Sequence, residues 1–215
     1  MGRLYVRRLL TLLLAALLTG ALPAAAPAET LQEEDGSYTS GIPTQDFVYR
    51  AAPETAGRQQ ALNWCWAACI QMVLNFHGIA VTQEEIVARV YGDAVDRPAG
   101  PAEILYALSG WAYDSNGQVV IIQADPYNIS WQTAIADLDK RRPLIVGLGS
   151  DIPGQPGHAY VLTAINYYAD QYGNIYPRAV ILRDPMPGRQ SRTGMHAEEF
   201  EARLQFACRV YVVRQ

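Results

Sequence analysis

Histidine and cysteine are scarce in this 215-residue chain, with three of each. Only His77, His158 and His196 are therefore available as an imidazole base. The odd cysteine count (Cys65, Cys69, Cys208) permits at most one intramolecular disulfide and leaves one thiol over. Charged residues make up just 18% of the chain, and no basic cluster of the kind a nucleic-acid partner requires is present. After the apolar run from Leu9 to Leu22 no second stretch of membrane-spanning length follows, and no internal repeat or low-complexity block is apparent.

The apolar run itself reads as an export signal. Arg3, Arg7 and Arg8 precede it, small residues close it, and Ala26-Pro27-Ala28 satisfies the A-x-A pattern. Cleavage is expected after Ala28, because a cut after Ala26 would put Pro27 directly behind the scissile bond. Residues 1–28 are thus a signal peptide, the product is secreted or periplasmic, and no stable membrane span remains after cleavage. The mature chain, Glu29 to Gln215, has 187 residues, enough for one domain with a substantial core. Without the three signal arginines, 14 basic side chains face 21 acidic ones, a formal charge of −7.

Residues 29–58 carry scattered Gly, Pro, Ser, Thr and Glu without period and read as a loose leader or an arm laid on the domain, with only Phe47-Val48-Tyr49 able to pack. From 64 to 77 the positions Cys65, Cys69, Met72, Val73 and Phe76 follow helical spacing, with Asn63 as N-cap and Gly78 as a left-handed stop. Thr82 and Glu85 form a capping box for a helix ending near Gly92, Pro101 opens a third helix, and Ser130 caps a fourth. Strands are predicted at 118–124, 144–148, 158–168, 176–183 and 209–213, with a hairpin loop at 170–174, a Pro/Gly-rich loop at 185–194 and a short helix at 198–204. Helices first and antiparallel strands later give an α+β order.

Chemistry is expected at Cys65. In the first turn of a helix, unpaired N–H groups and the macrodipole favour a thiolate over a thiol. A nucleophile needs a base and a group to orient that base. His158 follows Pro156-Gly157 at the start of a strand, and a hairpin centred near 171 places Asp184 opposite it, within cross-strand reach. His77 sits some twelve residues along the helix from Cys65, roughly 18 Å away, and His196 reads as an exposed or helix-capping residue. Asn166 is the alternative orienter. If a disulfide forms, it joins Cys69 to Cys208, since Cys65 and Cys69 lie one turn apart; the alternative is two plain core thiols. Trp64 and Trp66 either wall a cleft or pack in the core.

Gln59 six positions before Cys65, the Cys65-Trp66-Ala67-Ala68 run opening a helix, Gly157-His158 opening a strand and Asp184-Pro185 after a hairpin resemble the papain-like cysteine peptidases. Within them, the chain is similar to bacterial peptidases that cleave double-glycine bacteriocin leaders. The likeness covers most of residues 59–213, and 59–215 are taken as the peptidase domain. It implies Cys65 as nucleophile, His158 as base, Asp184 as orienter and Gln59, with Gln60 as competitor, as oxyanion-hole donor. The expected activity is hydrolysis of peptide or isopeptide bonds in a peptide or protein substrate, with no metal or cofactor. A papain-like acyltransferase or amidase, or a catalytically idle papain-like binding module, are the alternatives.

Overall fold

The computed structural model describes residues 29–126 and 128–214, so the expected signal peptide lies outside the described residues. The central element is helix α2 (Cys65–Phe76), in which ten of twelve residues are buried. A helix apolar on every side can only sit inside the fold. Ile70, Met72 and Val73 are wholly excluded from solvent, each worth roughly 1.5–3 kcal/mol relative to exposure. Its one buried amide, Gln71, donates to the Val81 carbonyl at 2.7 Å and accepts from Gln83 Nε2 at 3.0 Å. Helix α1 (Thr44–Ala51) packs on it through Phe47, stacked on Phe76. Helix α3 (Gln83–Tyr91) begins at the expected Thr82/Glu85 capping box and stops at left-handed Gly92, and α4 (Pro101–Leu108) begins at Pro101.

A single antiparallel sheet accepts these helices. Its strands are β1 (Glu29–Gln32), β2 (Tyr38–Gly41), β3 (Gly110–Tyr113), β4 (Val119–Pro126), β5 (Leu144–Leu148), β6 (His158–Ala169), β7 (Ile175–Arg183), β8 (Arg192–His196) and β9 (Leu204–Arg214). Long β6 is the hub. Along one edge its first half pairs with β5 and its second half with β2, while β7 and then β8 follow on the other edge. From β5 the sheet continues through β9 and β4 to β3. Helices α1 to α4 cover one face around Ile145, Val161 and Val210. Helices α5 (Trp131–Asp139) and α6 (Ala197–Arg203) cover the other around Leu144, Leu162 and Leu182. Among the described residues no helix is long and apolar enough to cross a membrane.

Of the two readings of residues 29–58, the structure has the arm laid on the domain: β1 and β2 add to the sheet, and α1 buries Phe47 and Ala51, although Val48 and Tyr49 remain exposed. Three local expectations are corrected. The loop at 185–194 gives way to β8 from Arg192. Asn63 is not the N-cap of α2. That position is held by Trp64, which makes no side-chain cap bond, while the Asn63 N–H goes to Asp96 Oδ1 at 2.8 Å. Finally, β6 and β7 pair as Val161 with Arg183 and Leu162 with Leu182, two residues away from a register with 158 opposite 184.

Candidate active site

The two tryptophans flanking Cys65 fix the start of α2. Trp64 Nε1 donates to the Val95 carbonyl at 2.9 Å and Trp66 Nε1 to that of Arg97 at 3.1 Å, and both rings are buried. Both therefore belong to the core, and Trp66 also lines the cavity beside Cys65. Because no side chain caps α2, its first-turn amides are left for other partners. The Trp66 N–H in that turn and the Ala159 N–H at the start of β6 both favour the charged form of the Cys65 sulfur.

His158 is the first residue of β6 and Asp184 the first beyond β7. The two-residue register difference leaves them on the same side of the hairpin, and His158 Nε2 meets Asp184 Oδ1 at 2.7 Å. The same ring interacts with the Cys65 thiol and lowers its pKa; with Nε2 taken, Nδ1 is the nitrogen left to face it. Asp184 is buried and also accepts from the Met186 N–H at 2.8 Å. Cys65, His158 and Asp184, remote in sequence, are thus brought together, the last two joined by a hydrogen bond.

The electrostatics follow from that arrangement. Burial alone would raise the Cys65 thiol, but the hydrogen bond and charge of His158, with the Ala159 and Trp66 amides, outweigh it and hold the thiol below its usual range. For His158, burial opposes the cation, yet Asp184 and then Cys65 raise its pKa to about 9. Burial likewise pushes Asp184 up, and the His158 and Met186 bonds bring its carboxyl below the ordinary range. The shifts of Cys65 and His158 thus point the same way, each favouring the thiolate–imidazolium pair. The other two thiols are ordinary core groups: Cys69 and Cys208 are buried and unbridged, and burial pushes Cys208 up to about 12 and Cys69 well above its usual value.

Gln59 is buried and Gln60 exposed, which separates the two glutamines. Gln59 Nε2 donates to the carbonyls of Ala61 at 3.0 Å and Leu62 at 2.9 Å, just ahead of α2, while its Oε1 is buried with no hydrogen-bond partner among the described residues. The remaining candidates are placed elsewhere. Asn166 is committed to β2 through Ser37, Tyr38 and Thr39; His77 caps the opposite end of α2; exposed His196 precedes α6 without a side-chain cap bond.

Sequence reasoning missed Arg58. Its guanidinium donates to the carbonyls of Asp184 at 3.1 Å, Met186 at 2.9 Å and Arg189 at 2.7 Å, and it pairs with Glu54. Next to it the Gln59 N–H donates to the Pro185 carbonyl at 2.9 Å. Arg58 thereby ties the Asp184 loop to the segment carrying Gln59. Carbonyl acceptors leave no trace in side-chain identity; an arginine next to a candidate oxyanion donor was the sole signal.

No curated protein matches the sequence. Among solved structures, the peptidase domain of Streptococcus ComA, described as a bifunctional ABC transporter involved in a quorum-sensing pathway, is similar over 74% of this chain and 96% of that one, with 17% identity and a TM-score of 0.48. The sequence pattern of the family described as papain-like cysteine protease AvrRpt2 matches residues 48–205, most of the chain and all four of Gln59, Cys65, His158 and Asp184. The chain belongs to this papain-like cysteine protease family.

Proposed function

We propose that the chain is an exported cysteine peptidase that hydrolyses peptide or isopeptide bonds through an acyl-enzyme on Cys65. The observation that carries this reading is the His158 ring, held at 2.7 Å by Asp184 and lining one cleft with Cys65, whose thiol pKa it lowers. The Cys65 thiolate attacks the scissile carbonyl, and the carbonyl electrons move to its oxygen. As first residue of α2, Cys65 has a backbone N–H with no intrahelical acceptor, and this amide faces the new oxyanion. Gln59 supplies the second donor by turning one amide hydrogen from a carbonyl of the 61–62 turn. His158 gives its proton to the leaving amine as the C–N bond breaks, then takes one from the water that attacks the thioester. Asp184 holds the ring and the imidazolium throughout.

The cleft suggests what sits beside the scissile bond. A cavity of about 280 Å³ adjoins Cys65, walled by Trp66, Pro101, Ile104, Leu148 and Phe206, and among the described residues His158 is the only titratable base along it. A lysine buried there would be unpaired, and the one cation beside the cavity, His158, is already held by Asp184, so uncharged, apolar residues are the expected neighbours of the cleaved bond. A peptide-library profile with wild type and Cys65→Ala tests both points. Cleavage next to apolar residues that vanishes in Cys65→Ala supports the reading; cleavage retained by Cys65→Ala refutes it. An acceptor amine that diverts product from acid to amide would identify an acyltransferase instead.

A further inference from the structure

At the far end of α2 from Cys65, about 18 Å along the helix axis, a second cavity of about 490 Å³ is lined by His77, Arg50, Lys140, Arg141, Arg142 and Arg214. Five cationic side chains facing one concavity are unexpected in a chain whose acidic residues outnumber its basic ones. Two of the five, Lys140 and Arg142, have no close carboxylate partner among the described residues. Asp46 is shared by Arg50 and Arg141, and Asp114 meets Arg214 at 3.4 Å. Asp137 is held at 2.6 Å by Arg209 and reaches Arg142 only at 3.7 Å, and Lys140 forms no ion pair among the described residues.

Helix dipoles account for part of this charge, since a cation near a C-terminus is favourable. That covers Arg50 in the last turn of α1 and one residue after α5. It does not require three consecutive basic residues there, nor the left-handed backbone of Arg141 at φ 59°, a conformation that costs a non-glycine residue about 1–2 kcal/mol. In the same wall, His77 has a buried Nε2 without a hydrogen-bond partner among the described residues. Burial, then the charges of Arg214 and Arg142, lower its pKa to about 4, so it adds no charge of its own at neutral pH.

We propose that this cavity binds a small polyvalent oxyanion, a molecule carrying two or more phosphate or carboxylate groups. Guanidinium forks match both groups in bidentate fashion, and the volume lies in the range of small-molecule sites and above what one phosphate fills. The proposal is independent of the catalytic reading.

The test is isothermal titration of the full chain with pyrophosphate and with citrate at constant ionic strength, on wild type, on the Lys140→Gln/Arg142→Gln double variant, and on Arg178→Gln as a control for exposed positive charge elsewhere. Saturable binding of one probe by wild type and Arg178→Gln, weakened tenfold or more in the double variant, supports the site. Preference for pyrophosphate marks a phosphate ligand, preference for citrate a carboxylate one. If the double variant loses its fold by circular dichroism, Lys140→Gln alone is expected to weaken binding at least threefold. No saturable binding of either probe by wild type, or binding that the cavity variants leave unchanged, overturns the proposal.

Discussion

Replacing His158 by alanine is the most informative single change. It removes the hydrogen bond and the charge that hold Cys65 as a thiolate, while the burial that opposes the thiolate remains. A hydrogen bond to a charged group contributes about 1.5–3 kcal/mol, which at 1.36 kcal/mol per decade corresponds to a roughly 10- to 100-fold loss of thiolate reactivity at neutral pH. The Ala159 and Trp66 amides still face the sulfur and temper the loss. Iodoacetamide labelling across pH 5 to 10, with Cys65 located by peptide mapping, reads the effect directly. In wild type the rate should climb below the usual thiol range and level off; in His158→Ala it should be low at neutral pH and climb at a higher pH. Identical profiles would refute the pairing of ring and sulfur on which the electrostatic argument rests.

Removing the Arg58 guanidinium should loosen the Asp184 loop: Arg58→Ala is expected to lower kcat about tenfold with little change in KM, and Arg58→Lys to restore little, because one ammonium cannot reach three carbonyls. Unchanged kcat in Arg58→Ala would contradict the strap. For His77 the folded-state pKa, about 4, lies below the usual 6.5, so the neutral ring's contribution to stability is complete above pH 6.5 and is lost as pH falls towards 4. Urea unfolding should show His77→Asn losing less stability than wild type over that interval, a difference on the order of 2–3 kcal/mol; parallel curves would contradict it. Thiol titration without reductant should find one reactive cysteine in native protein and three after denaturation, whereas one free thiol after denaturation would reveal a Cys69 to Cys208 bridge.

Much of this organisation was legible in the residues themselves. Helix α2 announced itself by the helical spacing of its apolar positions, α3 by its reciprocal capping residues, and the long hairpin by Val/Ile/Tyr-rich stretches around a polar loop. Chemical type then brought Cys65, His158 and Asp184 to attention, and the structure sets them side by side. What stayed hidden depends on distant partners. Strand β2, Tyr-Thr-Ser-Gly, has no apolar alternation and exists because the second half of β6 offers it an edge. Gly41 suits that edge: a Cβ there would meet Ala164 at 2.5 Å. The hairpin register moved because the turn is centred at 172 and not 171, as Ala169 opposite Ile175 and Val161 opposite Arg183 both show; the irregularities at Leu162/Ala164 and Asn166/Tyr167 cancel along the way. Asn63 lost the cap because the indoles of Trp64 and Trp66 seek main-chain carbonyls at 95 and 97 and draw the helix entry there.

Catalysis through Cys65 requires a covalent intermediate at one sulfur. Rapid-quench intact-mass measurement with a peptide ester substrate should show the enzyme heavier by the acyl group, with the added mass on the peptide containing Cys65 and absent from Cys65→Ala. Steady turnover with no adduct at any time, or an adduct on another residue, would contradict it.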